Sequence, residues 1–372
     1  MARIEKLAKI KESKGFDGFL FTSAVSVKYF SGHFYDFETG PSPFQLLPAA
    51  LLIIPGEAAF LIIADNEPDR IPLPDPGITT IRYASYTYNT ELDHTNHFLV
   101  VLHKVIKELK IGNARIGIEQ DSLPYVIAHS ISALYPKMEF TDIAGDISGL
   151  RMIKDPDEIE AIRHAALLCD IGQASVVKHA SPGMTEMELF AHVRRDIENA
   201  AGMRIPIMAD LISGSRTSSG GGGPTNKFIE EGDLVLSDFT PCLNGYWGDS
   251  CSTIAVGTCT AAQRKRFTLV KEALAMGIDA MRPGVRAMDI DALMRRHIGS
   301  YGHHSGHGVG VQYHEEPRIT PYNKMKLLPG MIIALEPAIY EKEYGIRLEH
   351  LVVVREGDCE ILTQFQHVFE QV

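Results

Sequence analysis

The sequence predicts a mixed α/β (α+β) protein of two domains, and three observations lead to this prediction. The chain has 372 residues, which is more than one hydrophobic core usually serves. Helical and strand patterns alternate over residues 1–148, whereas a helix, a Pro-Gly pair and a second helix occur twice in the remainder. We therefore expect one domain over residues 1–148 and a second over residues 149–372.

Apolar residues in the first domain follow helical and strand spacing in turn. In chain order the pattern predicts a helix carrying Ile4, Leu7, Ala8 and Ile10, a strand at 18–22, a hairpin of 49–54 and 58–64 around Pro55-Gly56, a helix at 97–109 and a strand at 114–119. This alternation indicates an α/β domain.

The second domain is predicted to begin with a long helix and to contain an internal repeat. Asp155-Pro156 suits a helix start, because proline is favoured in the first turn and an acidic residue suits the positive end of the helix dipole. Pro182-Gly183 and Pro283-Gly284 lie 101 residues apart, each between helical patterns, and Thr185 and Glu188 form a capping box after the first. The repeat predicts a pseudo-two-fold domain whose site lies between its halves.

Two aspartates in the segment 234–256 are placed to share one face of a hairpin. Asn244-Gly245 is a strong signal for a two-residue turn, which sets Leu243 opposite Tyr246 and Asp249 opposite Thr240. Asp238 then lies diagonally from Asp249, at about 7–8 Å between Cα atoms. Taken alone, this pair is better interpreted as two solvent-exposed aspartates on an edge hairpin than as a metal site.

Three further residues change that balance, because each is unusual for its position. Glu336 ends the apolar run 331–335, Glu349 interrupts the apolar run 346–354, and His307 lies between glycines in GHGVG. We expect both glutamates to lie in buried strands, where carboxylates persist when they are paired or bind metal. Four carboxylates and one imidazole suit hard divalent ions, and the four charges balance two of them. The set predicts a two-metal site.

The ordered set Asp238, Asp249, His307, Glu336 and Glu349 resembles the metal ligands of the creatinase/prolidase/methionine aminopeptidase superfamily, which has the pita-bread fold. The local patterns D-x10-D, GHGxG, EP and R-x-E match in order, and the resemblance covers nearly the whole chain, with an amino-terminal domain like that of prolidases and creatinase. It implies hydrolysis of a C–N bond with two divalent ions, manganese foremost and cobalt or zinc as alternatives.

The resemblance also implies roles for individual residues. Glu336 would move a proton as well as bind metal, and His314 would donate to the tetrahedral intermediate. His303 and Arg347 would face the substrate. The family further implies a homodimer in which the loop 29–45 approaches the partner's site, making His33, Tyr35 and Phe37 candidate substrate contacts, whereas its composition alone suits a surface loop.

Two departures from the family concern substrate choice more than metal binding. Gly221, within SSGGGGPTN, stands where relatives carry a histidine that positions substrate or donates a proton, and Cys251 replaces a threonine beside a metal ligand. We expect weak Xaa-Pro hydrolysis that the substitution Gly221→His raises. His303, His304 or His33 are alternative donors.

Composition limits the other function classes. A net charge of −11 disfavours nucleic acid and anionic membranes as partners. Five scattered cysteines suit reduced thiols in the cytoplasm, and the charged start of the chain has no apolar signal segment. Three hypotheses follow: an Xaa-Pro dipeptidase or aminopeptidase acting on small peptides, a hydrolase of small non-peptide amides on the same fold, and a non-enzymatic binding protein, which five intact ligands disfavour.

Overall fold

The structure, a computed structural model, describes residues 2–34, 47–65 and 77–370, and the chain forms two compact units. Unit 1 spans Met1–Leu150 and unit 2 spans Arg151–Val372, so the division lies two residues after the boundary expected from the sequence. None of the helices in the described ranges has the length and apolar character needed to cross a bilayer.

The described residues of unit 1 form one six-stranded sheet in the order β4-β3-β2-β1-β5-β6. The strand β1 lies centrally, antiparallel to β2 and parallel to β5. The elements are α1 Ala2–Lys14, β1 Gly18–Phe21, α2 Ala24–Ser31, β2 Ala50–Ile54, β3 Ala58–Ala64, β4 Thr79–Tyr83, α3 His94–Glu108, β5 Arg115–Ile118, α4 Tyr125–Leu134, β6 Glu139–Asp142 and α5 Ala144–Met152. Each helix and strand predicted for this unit is confirmed, with ends that differ by at most three residues.

Over residues 151–370, unit 2 contains four long helices and three sheets. The sheets have the orders β10-β8-β7, with β9 also paired to β8, then β12-β11-β13-β16-β17, and β14-β15. The elements are α6 Pro156–His179, α7 Glu186–Ala201, β7 Ile207–Ser213, β8 Leu234–Leu243, β9 Tyr246–Trp247, β10 Ser250–Ala255, α8 Ala261–Ala280, α9 Ala287–Ile298, β11 Gly306–Gly308, β12 Glu315–Ile319, β13 Ile332–Leu335, β14 Ala338–Tyr340, β15 Gly345–Arg347, β16 His350–Val354 and β17 Cys359–Ile361. The predicted start of α6 is confirmed, with Asp155 as its N-cap in a capping box.

The internal repeat is confirmed by matching backbone hydrogen bonds. The amide of Gly183 donates to Ile229 O (2.9 Å), and that of Gly284 donates to Leu327 O (2.8 Å). Both glycines have a positive φ, at 89° and 87°, a conformation that glycine adopts at little steric cost. The chain can therefore turn sharply between one helix and the next. Each copy therefore pins its Pro-Gly turn to an extended segment in the same way.

The predicted hairpin register is also confirmed. Leu243 pairs with Tyr246, and the turn residues Asn244 and Gly245 have φ values of 52° and 78°, as a type I′ turn requires. Because the register continues to the pair Ser250 and Phe239, Asp238 and Asp249 lie on one face.

The buried carboxylate of Glu186 holds both ends of the segment 213–225, which contains Gly220 to Gly223 and is called the glycine loop below. It accepts hydrogen bonds from the amide and hydroxyl of Ser213 (2.7 and 2.9 Å) and from those of Thr225 (3.0 and 2.8 Å). It also pairs with Arg216. Glu186 lies in the first turn of α7, where a negative charge is favoured, so the helix fixes the loop ends.

We therefore expect Glu186→Gln to lower the free energy of unfolding by about 2–3 kcal/mol, because charge-assisted hydrogen bonds are lost in a buried place. Urea denaturation measures the change, and Glu343→Gln, an exposed glutamate of the same unit, is the matched control. Equal midpoints for the two variants would show that Glu186 does not hold this loop.

Candidate metal centre

A pocket of about 650 Å³ in unit 2 contains all five predicted metal ligands. Its size suits a small molecule or short peptide. The residues that line it are Met208, Ala209, Asp210, Ser218, Ser219, Gly220, Asp238, Thr240, Asp249, Gly302, His303, His304, His307, Tyr313, His314, Glu336, Tyr340, Arg347 and Glu349. Both halves of the internal repeat contribute to it.

The hairpin presents Asp238 and Asp249 to the pocket from a firmly held backbone. Gln173 on α6 donates its side-chain amide to Ser237 O (3.1 Å) and Ser250 O (2.9 Å), which are neighbours of the two aspartates. Thr240 Oγ1 also donates to Asp249 Oδ1 (3.1 Å). One buried glutamine therefore fixes both strands behind the site.

His307 lies in β11 between two glycines that the neighbouring strands require. A β-carbon at Gly306 would lie 2.2 Å from Ala334 O, and one at Gly308 would lie 2.4 Å from Glu316 O. No side chain fits at those distances, so the glycines permit the close approach of β12 and β13. The imidazole of His307 is set by this packing and by the contact of its Nδ1 with Gly308 O (3.0 Å).

The two glutamates do not lie within strands, so that part of the prediction is wrong. Glu336 is the first residue after β13, and Glu349 lies between β15 and β16. Both are nevertheless buried, at 7% and 1% exposure. At strand ends their side chains are freed from the alternation of the sheet, and both turn into the pocket.

The donor set fits divalent cations. Ligand atoms of Asp249, His307 and Glu349 all lie within 4.8 Å of one another. Glu349 Oε2 is buried and receives no hydrogen bond from the part of the chain that the structure describes. A buried carboxylate oxygen without a donor is costly, and a cation bound there would satisfy it. The oxygen-rich set suits hard divalent ions.

Burial of these carboxylates without a cation disfavours their charged forms. Burial, together with neighbouring carboxylates, raises the pKa of Asp249 and of Glu349 well above the ordinary range. Burial raises the pKa of Asp238 to about 6 despite the opposing effect of Arg347. Burial also acts to raise the pKa of Glu336, but the hydrogen bond from His304 and the charges of His307 and Arg347 lower it to about 2.

Of the described residues that line the pocket, Arg347 is the only arginine or lysine, and its donors are largely occupied. Its Nη2 lies 2.5 Å from Asp238 Oδ2, and its Nη1 donates to the carbonyl of Gly220 and to Tyr340 Oη (3.1 Å). Arg347 therefore pairs with Asp238, a predicted metal ligand, and binds the backbone of Gly220. Its predicted contact with substrate stays a prediction.

Three histidines beside His307 line the same wall. His314 lies with its ring 4.2 Å from that of His307 and is exposed to the pocket. His304 Nε2 lies 2.8 Å from Glu336 Oε1. His303 is held at both nitrogens, by His304 O (2.7 Å) and Tyr340 Oη (3.0 Å). Of these, His314 has the most freedom to contact a substrate.

His33 is buried in unit 1, at 7% exposure, and its substrate role stays a prediction. Tyr35 and Phe37 lie outside the described residues. The sequence reasoning missed Asp210 and Tyr340, both of which line the pocket. Asp210 interrupts an apolar strand as Glu349 interrupts its own apolar run, and that signal could have identified it.

Residues 160–356 match metallopeptidase family M24, and residues 3–153 match the creatinase/prolidase N-terminal domain. The chain belongs to metallopeptidase family M24. This assignment confirms the resemblance and the α/β fold class with a pita-bread domain, and it identifies the protein as a metallopeptidase-type hydrolase that uses divalent metal ions.

Relatives of the metallopeptidase match it over nearly its full length. The Xaa-Pro dipeptidase of Pyrococcus furiosus is 29% identical over 369 residues, which cover 97% of each chain. The prolidase structure from Pyrococcus horikoshii OT3 is 25% identical, with a TM-score of 0.82 and 99% of each chain covered. The X-Pro aminopeptidase structure from Thermotoga maritima MSB8 is 26% identical, with the same TM-score and coverage.

We expect removal of metal from the metallopeptidase to lower its melting temperature by about 5–10 °C, because bound cations stabilise the folded carboxylate cluster. Glu349→Gln should lower the metal content from about two ions per chain to one or fewer, whereas Glu356→Gln, an exposed control, should not. Elemental analysis and calorimetry measure both effects. A melting temperature unchanged by exhaustive chelation would contradict a structural role for the ions.

Proposed function

We propose that this protein is a dinuclear peptidase of the Xaa-Pro type, a dipeptidase or aminopeptidase that acts on small peptides. The convergence of Asp238, Asp249, His307, Glu336 and Glu349 on one pocket carries the proposal. The Xaa-Pro dipeptidase and X-Pro aminopeptidase among its relatives support the substrate class. We propose manganese as the metal, with cobalt or zinc as alternatives, since carboxylate-rich sites suit manganese.

Two divalent ions held by these five residues would polarise a substrate carbonyl and activate a water. The protein must then accept and return a proton close to the reacting carbon. Glu336 suits this role by its position, because its carboxylate lines the pocket beside the other ligand side chains. The hydrogen bond with His304 (2.8 Å) orients the carboxylate.

His314 suits stabilisation of the negative charge that develops on the substrate oxygen. It faces the pocket beside His307, and burial lowers its pKa, so the ring is neutral and donates through one N–H. The residue after His314 is Glu315, and its carboxylate pairs with Lys154 Nζ (3.0 Å) and Arg151 Nε (3.5 Å). This buried pairing fixes the position of the His314 backbone.

A second candidate function, hydrolysis of a small non-peptide amide, is favoured by one observation. Gly220 and Gly221 carry no side chain toward the pocket, and Arg347 holds the carbonyl of Gly220. Asp210 Oδ2 lies 2.3 Å from the place that a β-carbon at Gly221 would take, so a carboxylate stands where relatives are expected to carry a histidine. This difference in the pocket favours a substrate other than a proline peptide.

We further propose a cytoplasmic homodimer with neither nucleic-acid nor membrane partners. The net charge of −11 supports the exclusion of polyanions, and the five scattered cysteines, free within the described chain, support a reducing compartment. The family resemblance supports the dimer.

Hydrolysis of Xaa-Pro dipeptides, Xaa-Pro oligopeptides and small amides by the manganese-loaded protein tests the proposal. We expect Xaa-Pro dipeptides or oligopeptides to be cleaved, and His314→Ala to lower kcat by about 10²–10³, because one donor to the oxyanion is lost. His164→Ala, an exposed histidine outside the pocket, is the control. Cleavage of small amides alone would favour the second candidate.

The geometry changes the expectation for Gly221→His. A β-carbon at Gly221 would lie 2.3 Å from Asp210 Oδ2, so histidine does not fit unless Asp210 moves. We expect Gly221→His alone not to raise kcat/KM for an Xaa-Pro dipeptide, whereas Gly221→His with Asp210→Ala should exceed Asp210→Ala alone by about tenfold or more, as a gained proton donor allows. Metal content is matched in all proteins. A rise in the single variant would show that Asp210 yields freely.

A further inference from the structure

Asp210 is a carboxylate in the pocket that the proposed chemistry does not use. It lies in β7, directly opposite Asp238 in β8, so both side chains project from the same face of the sheet. Its side chain is 34% exposed and lines the pocket. We propose that Asp210 binds a cationic nitrogen of the substrate, an inference that rests on the proposed peptidase function.

The space around Asp210 shows that the pocket is built around its carboxylate. A β-carbon at Gly221 would lie only 2.3 Å from Asp210 Oδ2, so the carboxylate takes the space that a side chain at position 221 would need. A histidine at 221 and a carboxylate in this position exclude each other. The pocket therefore has an anionic group where a side chain at 221 would project.

The carboxylate of Asp210 also has acceptor capacity to spare. Within the described chain, its closest cation is Arg347 Nη2 at 3.5 Å, and the same nitrogen lies 2.5 Å from Asp238 Oδ2. Arg347 Nη1 is occupied by Gly220 O and Tyr340 Oη. An ionised carboxylate has about four acceptor sites. Most of those on Asp210 therefore have no donor within the part of the chain that the structure describes, and the residue lines the pocket.

The local charge around Asp210 also favours a cationic group. The four metal-ligand carboxylates and Asp210 carry five negative charges, which two divalent ions and Arg347 balance in number, but Arg347 lies closer to Asp238 (2.5 Å) than to Asp210 (3.5 Å). Asp210 is therefore an anion at the pocket that Arg347 pairs with only loosely. It attracts a positively charged group and repels a carboxylate, which is a basis for choosing one substrate over another. The cation is either the terminal ammonium of a peptide or a basic side chain.

Binding to the metal-loaded protein tests the inference without hydrolysis. Butylguanidinium is the probe, because it stays charged and does not ligate metals, and butylurea is its uncharged isostere. We expect the natural protein to bind butylguanidinium at least tenfold more tightly than butylurea, as hydrogen bonds to charged groups allow. Asp210→Asn should reduce the difference to less than twofold, whereas Asp279→Asn, an exposed control, should retain it.

Substrate comparisons identify the source of the cation. The measurement is kcat/KM for Leu-Pro, Lys-Pro and N-acetyl-Leu-Pro with the natural protein and with Asp210→Asn. A loss on acetylation that the variant no longer shows assigns the terminal ammonium. A preference for Lys-Pro over Leu-Pro that the variant no longer shows assigns a basic side chain. The effect should appear mainly in KM.

Three outcomes separate the possible failures. An unchanged preference for butylguanidinium in Asp210→Asn overturns the inference. A lower metal content in Asp210→Asn also overturns it, because Asp210 would then be a metal ligand. Selective binding of butylguanidinium through Asp210 without cleavage of any Xaa-Pro peptide supports the cation site and contradicts the proposed function instead.

Discussion

Mutual repulsion among buried carboxylates is the constraint on which the organisation of unit 2 depends. Asp249, Glu336 and Glu349 are at most 7% exposed, and Asp238 lies beside them. Such a cluster is stable only with counter-charges, because desolvation and repulsion both disfavour ionisation. Arg347 supplies one positive charge from within the protein, and divalent metal ions supply the other positive charges.

The surrounding backbone is arranged so that the ligands cannot easily move apart. Gln173 ties the two hairpin strands behind Asp238 and Asp249, and the glycines beside His307 let three strands approach closely. A ligand set held by backbone contacts binds cations with little reorganisation, which lowers the entropic cost of binding. The histidine wall is held separately, through the buried pairing of Glu315 with Lys154.

Much of this could be predicted from the sequence, because local signals determined it. The Asn244-Gly245 turn set the hairpin register, and with it the shared face of Asp238 and Asp249. The positions of Glu336 and Glu349 at strand ends could not be predicted, because where a strand ends depends on pairing with distant partners. The contacts of Asp210 were hidden for a related reason, since they depend on Gly221 and Arg347, which are remote in sequence.

The two copies of the internal repeat contribute different residues to the pocket. The Pro-Gly turns are 101 residues apart, but the segments to which they bond are 98 apart, so the intervening stretches differ by only three residues. In the first copy that stretch carries the glycine loop, and in the second it carries His303, His304, His307 and His314. Both line the pocket from their own half. The glycine loop and Asp210 therefore belong to the first copy and the four histidines to the second, so the loop can change in evolution while the histidines are conserved.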